Sequence, residues 1–342
     1  MAASTPPGRP RDRSLATRQR VRPPRARRTR IVARAVAAAA AAVGVIAAAA
    51  LAGVSAQQRI RQAVIFDMVR LSAVVTDANG RYVSGLGTAD FQVFEDGVEQ
   101  QIQIFNAPDS PITFAVLVDG SISIRSRLPT VRASVRELLR NLGPRDAVQM
   151  VQFNERVSVL ETFSARRAAL EAAIDSFSAV GGTAVLNAVF RGLREIEARA
   201  REERDESRRR AVVLLSDGVD SSSLISEDVV LSEARRSRAS VYSVSLGQNL
   251  SARLTAGARG ARGAALLEEL GRTTGGRVIV PASVDALQAA FAEVAEELRH
   301  QYGLAYVSDN VLRDGRWRRI ELRVRNRPEL SVRHREGYYA GS

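Results

Sequence analysis

The chain has 342 residues, 45% hydrophobic and 25% charged, which is the usual mix of a globular protein with room for two domains. It contains no cysteine, which excludes disulfides, thiolate metal sites and cysteine nucleophiles. The net charge of +13 is concentrated at one end, because residues 1–34 carry eleven Arg and one acidic residue and the remainder carries only +3. We therefore expect no nucleic-acid partner, since most of the chain is nearly neutral.

The first 56 residues have the pattern of a targeting segment. Residues 1–34 are rich in Pro and Arg and poor in apolar side chains, which predicts a basic, disordered n-region. Residues 35–56 are mostly Ala and end in small residues before Gln57, which is typical of a cleaved export signal. The uncharged run 35–54 is also long enough to span a bilayer, so an uncleaved signal anchor is the alternative. Both interpretations place the rest of the chain in the periplasm or outside the cell, with the membrane contacted only through this segment.

Both flanks of the remaining chain alternate apolar and polar residues with the period of antiparallel strands. In the segment 62–108, strands are predicted at 66–76, 91–95 and 98–105. In the segment 302–340, they are predicted at 302–308, 317–324 and 330–332. Either set alone makes an open sheet whose apolar face needs a covering layer. We therefore expect the two segments to pair in one β-sandwich with the intervening residues inserted between them; the alternative is two unrelated flanking extensions.

Residues 111–301 alternate between strand and helix patterns. Strands are predicted at 112–118, 147–153, 157–162, 210–216, 239–246 and 277–280. Helices are predicted at 126–142, 165–178, 184–203, 226–238, 264–274 and 285–300. Strands with continuous apolar runs are typical of a sheet that is buried on both faces. The predicted fold class is α/β, with a doubly wound, mostly parallel sheet inserted in a β-sandwich that the flanking strands form.

Two stretches of this central segment are predicted to lie at the surface. Residues 191–210 are rich in Arg and Glu and end in three consecutive arginines, which indicates a solvated helix face and a loop rather than a binding patch. Residues 257–263 combine three glycines with two arginines and are expected to form a loop.

Three loops at the predicted carboxyl ends of strands carry oxygen ligands. The residues concerned are Asp119, Ser121, Ser123, Thr183 and Asp217. Hard divalent cations favour oxygen ligands, and open α/β sheets bind their ligands at this edge. Each motif alone is more typical of a turn or a helix cap, but their joint occurrence in this order predicts a metal site. Asp220, one turn later, is an alternative candidate ligand.

An enzymatic function has little support in the sequence. His300 and His334 are the only histidines, and we expect each to be a structural residue. No Ser-His-Asp arrangement or phosphate-binding glycine loop is evident, and no second cation site or general base accompanies Asp119. We therefore expect a protein that is not an enzyme, with metal-assisted hydrolysis as a distant alternative.

The pattern Asp119-x-Ser121-x-Ser123, then Thr183, then Asp217, resembles the complete metal-ion-dependent adhesion site of the von Willebrand factor type A family. The resemblance covers roughly residues 112–300. The flanks resemble a secreted bacterial group of that family, described mainly from Acidobacteria. The residues that carry this second resemblance are Val74, Thr76, Asp77, Gly80, Val83, Gly85, Leu86, Asp90, Phe91, Val93, Glu95, Asp96, Gly97, Tyr302, Asp314, Gly315, Trp317, Arg318, Gly337, Tyr338 and Tyr339.

The resemblance implies a function as well as a fold. In this family Ser121 and Ser123 would bind a divalent cation directly, while Asp119, Thr183 and Asp217 would bind it directly or through water. The cation is expected to be Mg²⁺, with Mn²⁺ or Ca²⁺ as alternatives, and to engage an acidic side chain of a partner protein. The leading expectation is therefore an exported, adhesion-type binding protein. The alternative is a membrane-anchored assembly or chaperone factor for periplasmic proteins.

Overall fold

The computed structural model describes residues 68–108, 110–203, 205, 208–245 and 257–341. The predicted targeting segments, 1–34 and 35–56, lie outside these residues. Within them, no helix combines the length and apolar character that crossing a membrane requires.

The central layer is a six-stranded sheet with the order β10-β9-β8-β5-β6-β7. Its strands are β5 (Ile112–Asp119), β6 (Ala147–Phe153), β7 (Val157–Ser164), β8 (Arg209–Leu215), β9 (Ser240–Val244) and β10 (Arg277–Ile279). All neighbouring pairs are parallel except the pair of β6 with the edge strand β7. The expected mostly parallel sheet is therefore confirmed.

Helices cover both faces of this sheet. They are α1 (Leu128–Arg140), α2 (Arg167–Asp175), α3 (Val185–Glu203), α4 (Glu227–Arg236), α5 (Gly257–Thr274) and α6 (Leu287–His300). The side chains of β5 alternate between two hydrophobic clusters: Phe114 packs with α1, α2 and α6, whereas Leu117 packs with α3, α4 and α5. Every residue of β5 is buried, which explains its continuous apolar sequence.

Two four-stranded sheets form a β-sandwich beside the α/β part, with the orders β13-β1-β11-β4 and β14-β12-β2-β3. The strands are β1 (Met68–Thr76), β2 (Phe91–Glu95), β3 (Val98–Gln100), β4 (Ile102–Asn106), β11 (Tyr302–Val307), β12 (Trp317–Val324), β13 (Ser331–Arg333) and β14 (Gly337–Tyr339). Alternate residues of β1, β2, β11 and β12 meet in one hydrophobic core. Each sheet combines strands from both ends of the described chain, so the flanks form one sandwich and are not unrelated extensions.

The single strand predicted at 98–105 is wrong in one respect. The chain pairs with β2 as β3, leaves the sheet at Gln101 and joins the opposite sheet as β4. Gln100 is buried and Gln101 is exposed, so the alternation of buried and exposed side chains continues from β3 into β4. The sequence pattern therefore does not reveal that the chain crosses between the sheets.

One buried arginine joins both connections between the sandwich and the α/β part. Arg209, the first residue of β8, is only 6% exposed. Its guanidinium donates to the carbonyl of Ser110, at 3.1 Å from Nε, on the connection from β4 to β5. It also donates to the carbonyls of Leu298 and Gln301, where α6 ends and β11 begins; the Gln301 distance is 3.0 Å. The expectation that these arginines are solvated is therefore wrong for Arg209, whose charge is satisfied by backbone carbonyls.

Two further buried charges join the layers. Arg335, in the sandwich, donates to the carbonyl of Ser237 at 3.1 Å, just beyond the end of α4, where partial negative charge accumulates. Glu297, on α6, is 1% exposed and accepts hydrogen bonds from Arg277 in β10 and Arg333 in β13. These contacts add polar links between α6, the parallel sheet and the sandwich.

We predict that Arg209→Met lowers the free energy of unfolding by about 2–4 kcal/mol, because it leaves several buried carbonyls without a donor. Urea unfolding followed by circular dichroism measures the change. Arg319→Met is the matched control, since Arg319 is exposed and should cost less than about 0.5 kcal/mol. Equal effects of the two substitutions would contradict the role assigned to Arg209.

Candidate metal centre

The topology brings the three predicted loops to one edge of the parallel sheet. β5 and β8 are parallel neighbours, so Asp119 at the end of β5 and Asp217 after β8 lie on the same side. Thr183 precedes α3, whose preceding loop is bonded to the turn after β5. All five predicted residues therefore belong to loops at this edge, as expected of ligand sites in open α/β sheets.

The turn after β5 folds back on a buried carboxylate. Asp119 is 2% exposed, and its Oδ1 accepts a hydrogen bond of 2.8 Å from the backbone N–H of Ser121. Its Oδ2 accepts a hydrogen bond of 3.1 Å from the hydroxyl of Ser216. The hydroxyl oxygens of Ser121 and Ser123 lie 2.8 Å apart, with Ser121 buried and Ser123 exposed. The turn thus gathers carboxylate and hydroxyl oxygens at a surface that opens to solvent at Ser123.

Backbone hydrogen bonds attach the loop that carries Thr183 to this turn. The N–H of Ile122 donates to the carbonyl of Gly181 at 3.1 Å, and the N–H of Val180 donates to the carbonyl of Gly120 at 2.9 Å. This two-bond ladder fixes the loop beside the turn. Thr183 itself is largely buried, with 9% of its surface exposed.

The third loop is bonded to the second. The N–H groups of Ser221 and Ser222 donate to the carbonyl of Thr183 at 2.9 and 3.0 Å, and the N–H of Thr183 donates to the hydroxyl of Ser221. Asp217 accepts a hydrogen bond of 3.0 Å from the N–H of Val219, which holds its carboxylate in a local turn. The three loops therefore form one hydrogen-bonded unit.

Asp220, which the sequence offers as an alternative ligand, is bonded to neighbouring backbone and hydroxyl groups. Its carboxylate accepts a hydrogen bond of 3.1 Å from the N–H of Leu186, in the first turn of α3. It also accepts from the N–H and the hydroxyl of Ser223, at 3.0 and 2.6 Å. A carboxylate satisfies free N–H groups and the dipole at a helix N-terminus, so Asp220 orients the helix that follows Thr183.

Two glycines allow α5 to approach the loop after Asp217. Gly218 has a positive φ of 79°, and a Cβ on it would lie 2.5 Å from the carbonyl oxygen of Gly263. A Cβ on Gly263 would lie 2.6 Å from the carbonyl carbon of Gly218. The loop predicted at 257–263 is therefore wrong, because these residues form the first turns of α5, where glycine permits this close backbone contact.

The electrostatics of the site favour a cation. Burial raises the pKa of Asp119 to about 6; the negative charge of Asp217 acts in the same direction, while hydrogen bonds from Ser121 and Ser216 oppose it. In the part of the chain that the structure describes, no ion pair involves either carboxylate. Two neighbouring carboxylates without an opposite charge fit a bound cation, which would supply that charge.

The donor set fits a hard cation rather than a soft one. The five residues offer only carboxylate and hydroxyl oxygens, the ligands that Mg²⁺ and Ca²⁺ prefer. Among the described residues, no group of three or more His, Asp or Glu side chains is arranged to hold a metal. A cation at this edge would therefore depend on hydroxyl ligands.

Both histidines are engaged elsewhere. His300 stacks on Tyr82, with ring centroids 4.9 Å apart. The Nε2 of His334 accepts a hydrogen bond of 3.3 Å from the N–H of Leu322, and its Nδ1 lies 2.6 Å from the carbonyl oxygen of Arg335. These bonds suit a neutral ring, and burial lowers the pKa of His334 accordingly.

Sequence reasoning missed the supporting serines. Ser216 donates to Asp119, and Ser221 links the second and third loops. Ser216 directly precedes Asp217, and Ser221 begins a run of three serines, so a hydroxyl-rich segment after β8 was the available signal. Its partners, however, are 97 and 38 residues away.

The family comparison agrees with this geometry. Residues 114–219 match the family model described as von Willebrand factor type A domain. The match spans the end of β5, the loop with Thr183 and the loop with Asp217. This part of the chain is thus similar to a von Willebrand factor type A domain. The search of curated proteins gave no match.

The comparison with solved structures matched proteins from diverse sources. The PilB minor pilin from Streptococcus sanguinis is 13% identical with a TM-score of 0.43, covering 56% of this chain and 62% of the pilin. A von Willebrand factor type A protein from Catenulispora acidiphila is 13% identical with a TM-score of 0.43, covering 79% of this chain and 73% of that one. Proximal thread matrix protein 1 from the mussel byssus, with a zinc-occupied MIDAS motif, is 18% identical with a TM-score of 0.42. The match covers 57% of this chain and 47% of that one. At these values the similarities carry no functional argument.

We predict that metal-free stability falls as the pH rises from about 4 to about 6. The folded state holds the proton of Asp119 more tightly than the unfolded chain, whose carboxyl has the ordinary pKa of 3.8, so ionisation above that value disfavours folding. The contribution is at most about 3 kcal/mol. Urea unfolding of the parent and Asp119→Asn in EDTA, from pH 4 to 7, measures it. A difference between the two proteins that does not change with pH would contradict the prediction.

We predict that Gly218→Ala destabilises the protein more than Gly315→Ala does. Both glycines have positive φ, but a Cβ on Gly315 meets nothing within 4 Å, whereas one on Gly218 collides with the backbone of α5. The expected losses are about 1 kcal/mol for Gly315→Ala and roughly 3 kcal/mol or more for Gly218→Ala. Urea denaturation compares them, and equal losses would exclude the collision as the cause.

Proposed function

We propose that this chain is an exported binding protein without enzymatic activity. Its von Willebrand factor type A domain holds a divalent cation and uses it to engage an acidic side chain of a partner protein. The cation-binding residues are Asp119, Ser121, Ser123, Thr183 and Asp217. The observation that carries the proposal is the buried carboxylate of Asp119 beside Asp217, with three oxygen-bearing loops bonded into one unit.

The ligand chemistry explains why the partner group is acidic. Ser121, Ser123 and Thr183 offer neutral hydroxyls, so the two carboxylates supply the negative charge of the site. A cation with several neutral ligands retains affinity for a further carboxylate. The site opens to solvent at the exposed Ser123, where such a group can approach. Mg²⁺ is the proposed ion, with Mn²⁺ and Ca²⁺ as alternatives of the same ligand preference.

The arrangement of the described residues supports binding rather than catalysis. His300 and His334 are both held in contacts outside the three loops, so neither supplies a general base there. Of the other carboxylates beside the loops, Asp220 is bonded to the first turn of α3 and Glu155 to the N–H of Gly182. A hydrolytic reaction would need a general base at the cation, and among the described residues these histidines and carboxylates are engaged in contacts of their own.

The proposed location rests on residues 35–56. A cleaved signal releases the protein, whereas an uncleaved anchor makes it a membrane-bound assembly or chaperone factor that uses the same site. N-terminal sequencing of the mature protein distinguishes them. Gln57 as the first residue supports the exported form, and an N-terminus before the apolar run supports the anchored form.

Calorimetric titration of the full-length chain with Mg²⁺, Mn²⁺ and Ca²⁺ tests the cation site. We expect the parent to bind at least one of these ions, and Asp119→Asn and Asp217→Asn to lose at least about tenfold in affinity, since each removes one of two negative charges. Asp309→Asn, which removes an exposed carboxylate from the sandwich, is the matched control and should bind as the parent does.

Circular dichroism of each variant confirms that it is folded. Binding by Asp119→Asn and Asp217→Asn with parental affinity would place the ion elsewhere and remove the basis of the proposal. Loss of binding in the Asp309→Asn control as well would show that the effect is not specific to the three loops.

A further inference from the structure

Three large apolar side chains are exposed on the loops that carry the proposed cation ligands. Ile122 is 59% exposed, Val180 is 49% exposed and Leu224 is 95% exposed. Ile122 lies between the two serine ligands, Val180 lies three residues before Thr183, and Leu224 lies seven residues after Asp217. We call these three residues the apolar rim.

The backbone of the apolar rim is held in place. Ile122 and Val180 belong to the two-bond ladder that joins the first two loops, so they are neighbours. The N–H of Leu224 donates to the side-chain oxygen of Asn187 at 3.2 Å, and the N–H of Asn187 donates to the hydroxyl of Ser223 at 3.1 Å. Leu224 is thereby fixed beside the first turn of α3.

Two side chains of opposite charge lie beside the apolar rim. The guanidinium of Arg125 donates to the carbonyl of Ala179, next to Val180. The carboxylate of Glu155 accepts a hydrogen bond of 3.1 Å from the N–H of Gly182. Both groups are held by contacts with the loops, and the exposed Ile122, Val180 and Leu224 add apolar contact area around the oxygen ligands. A preorganised apolar surface contributes to binding without the cost of ordering it.

We propose that the acidic residue of the partner protein is flanked by large apolar side chains, which pack on Ile122, Val180 and Leu224. The inference rests on the proposed function and specifies its ligand. The charge of the cation selects the carboxylate, and the apolar rim selects its neighbours. A carboxylate in a wholly polar segment would leave the rim in contact with polar groups and would bind more weakly.

Selection from a phage-displayed library of random dodecapeptides tests this specificity. Peptides bound to the full-length chain in Mg²⁺ and released by EDTA are sequenced. We expect enrichment of Asp or Glu with Leu, Ile, Val, Phe or Met within two positions. Leu224→Ser should retain Mg²⁺ binding and the enrichment of acids but lose the preference for apolar neighbours. Leu312→Ser is the matched control, because it replaces a leucine that is 63% exposed on the sandwich. It should select the same peptides as the parent does.

The affinity of one selected peptide for the parent and the variants measures how much Leu224 contributes to binding. We expect Leu224→Ser to weaken its binding by about tenfold and Leu312→Ser to leave it unchanged, because burying most of one leucine side chain contributes that much. Acidic peptides without apolar neighbours, or the same preference in Leu224→Ser as in the parent, would overturn this inference and leave the proposed function intact. A parent that binds Mg²⁺ but releases no acid-enriched peptides with EDTA would overturn both.

Discussion

The antiparallel pairing of β4 with β11 is the constraint on which the rest of the structure depends. β4 is the last strand before the α/β domain and β11 is the first after it, and Gly303 lies opposite Asn106 in the ladder. The two connections of the inserted domain must therefore meet. Arg209 satisfies this requirement by donating to carbonyls of both connections. The sandwich core, built from both ends of the described chain, closes only when the domain between them has brought its ends together.

The same domain places the five candidate ligand residues at the edge of its sheet opposite these connections. Because β5 and β8 are parallel, Asp119 and Asp217 leave the sheet on one side, and hydrogen bonds between the loops add Thr183. Burial of Asp119 makes its negative charge unfavourable, as its raised pKa shows. The fold thus maintains a locally destabilising charge, a feature typical of sites that are completed by a ligand.

Much of this arrangement could be predicted because it depends on local patterns. The apolar run of β5 and the oxygen residues after it are adjacent in sequence, and period-two alternation identifies the sandwich strands. The features that escaped prediction depend on distant partners. Gly263 lies in a helix because α5 packs closely on Gly218. Arg209 is buried because Ser110 and Gln301 offer carbonyls to its guanidinium. Gln101 marks the crossing between two sheets, which becomes visible only when both sheets are assembled. No local pattern distinguishes these from a loop, a solvated arginine or a continuous strand.

The position of the two connections has a mechanical consequence. They leave the domain at the amino ends of its strands, opposite the edge that carries Asp119. A pulling force applied at that edge and resisted by the sandwich would draw on β4 and β11 together, along their length. Since antiparallel hydrogen bonds run perpendicular to the strands, such a load shears the bonds between β11 and β1 together instead of opening them one after another. The architecture therefore resists tension applied between the sandwich and the edge that carries Asp119.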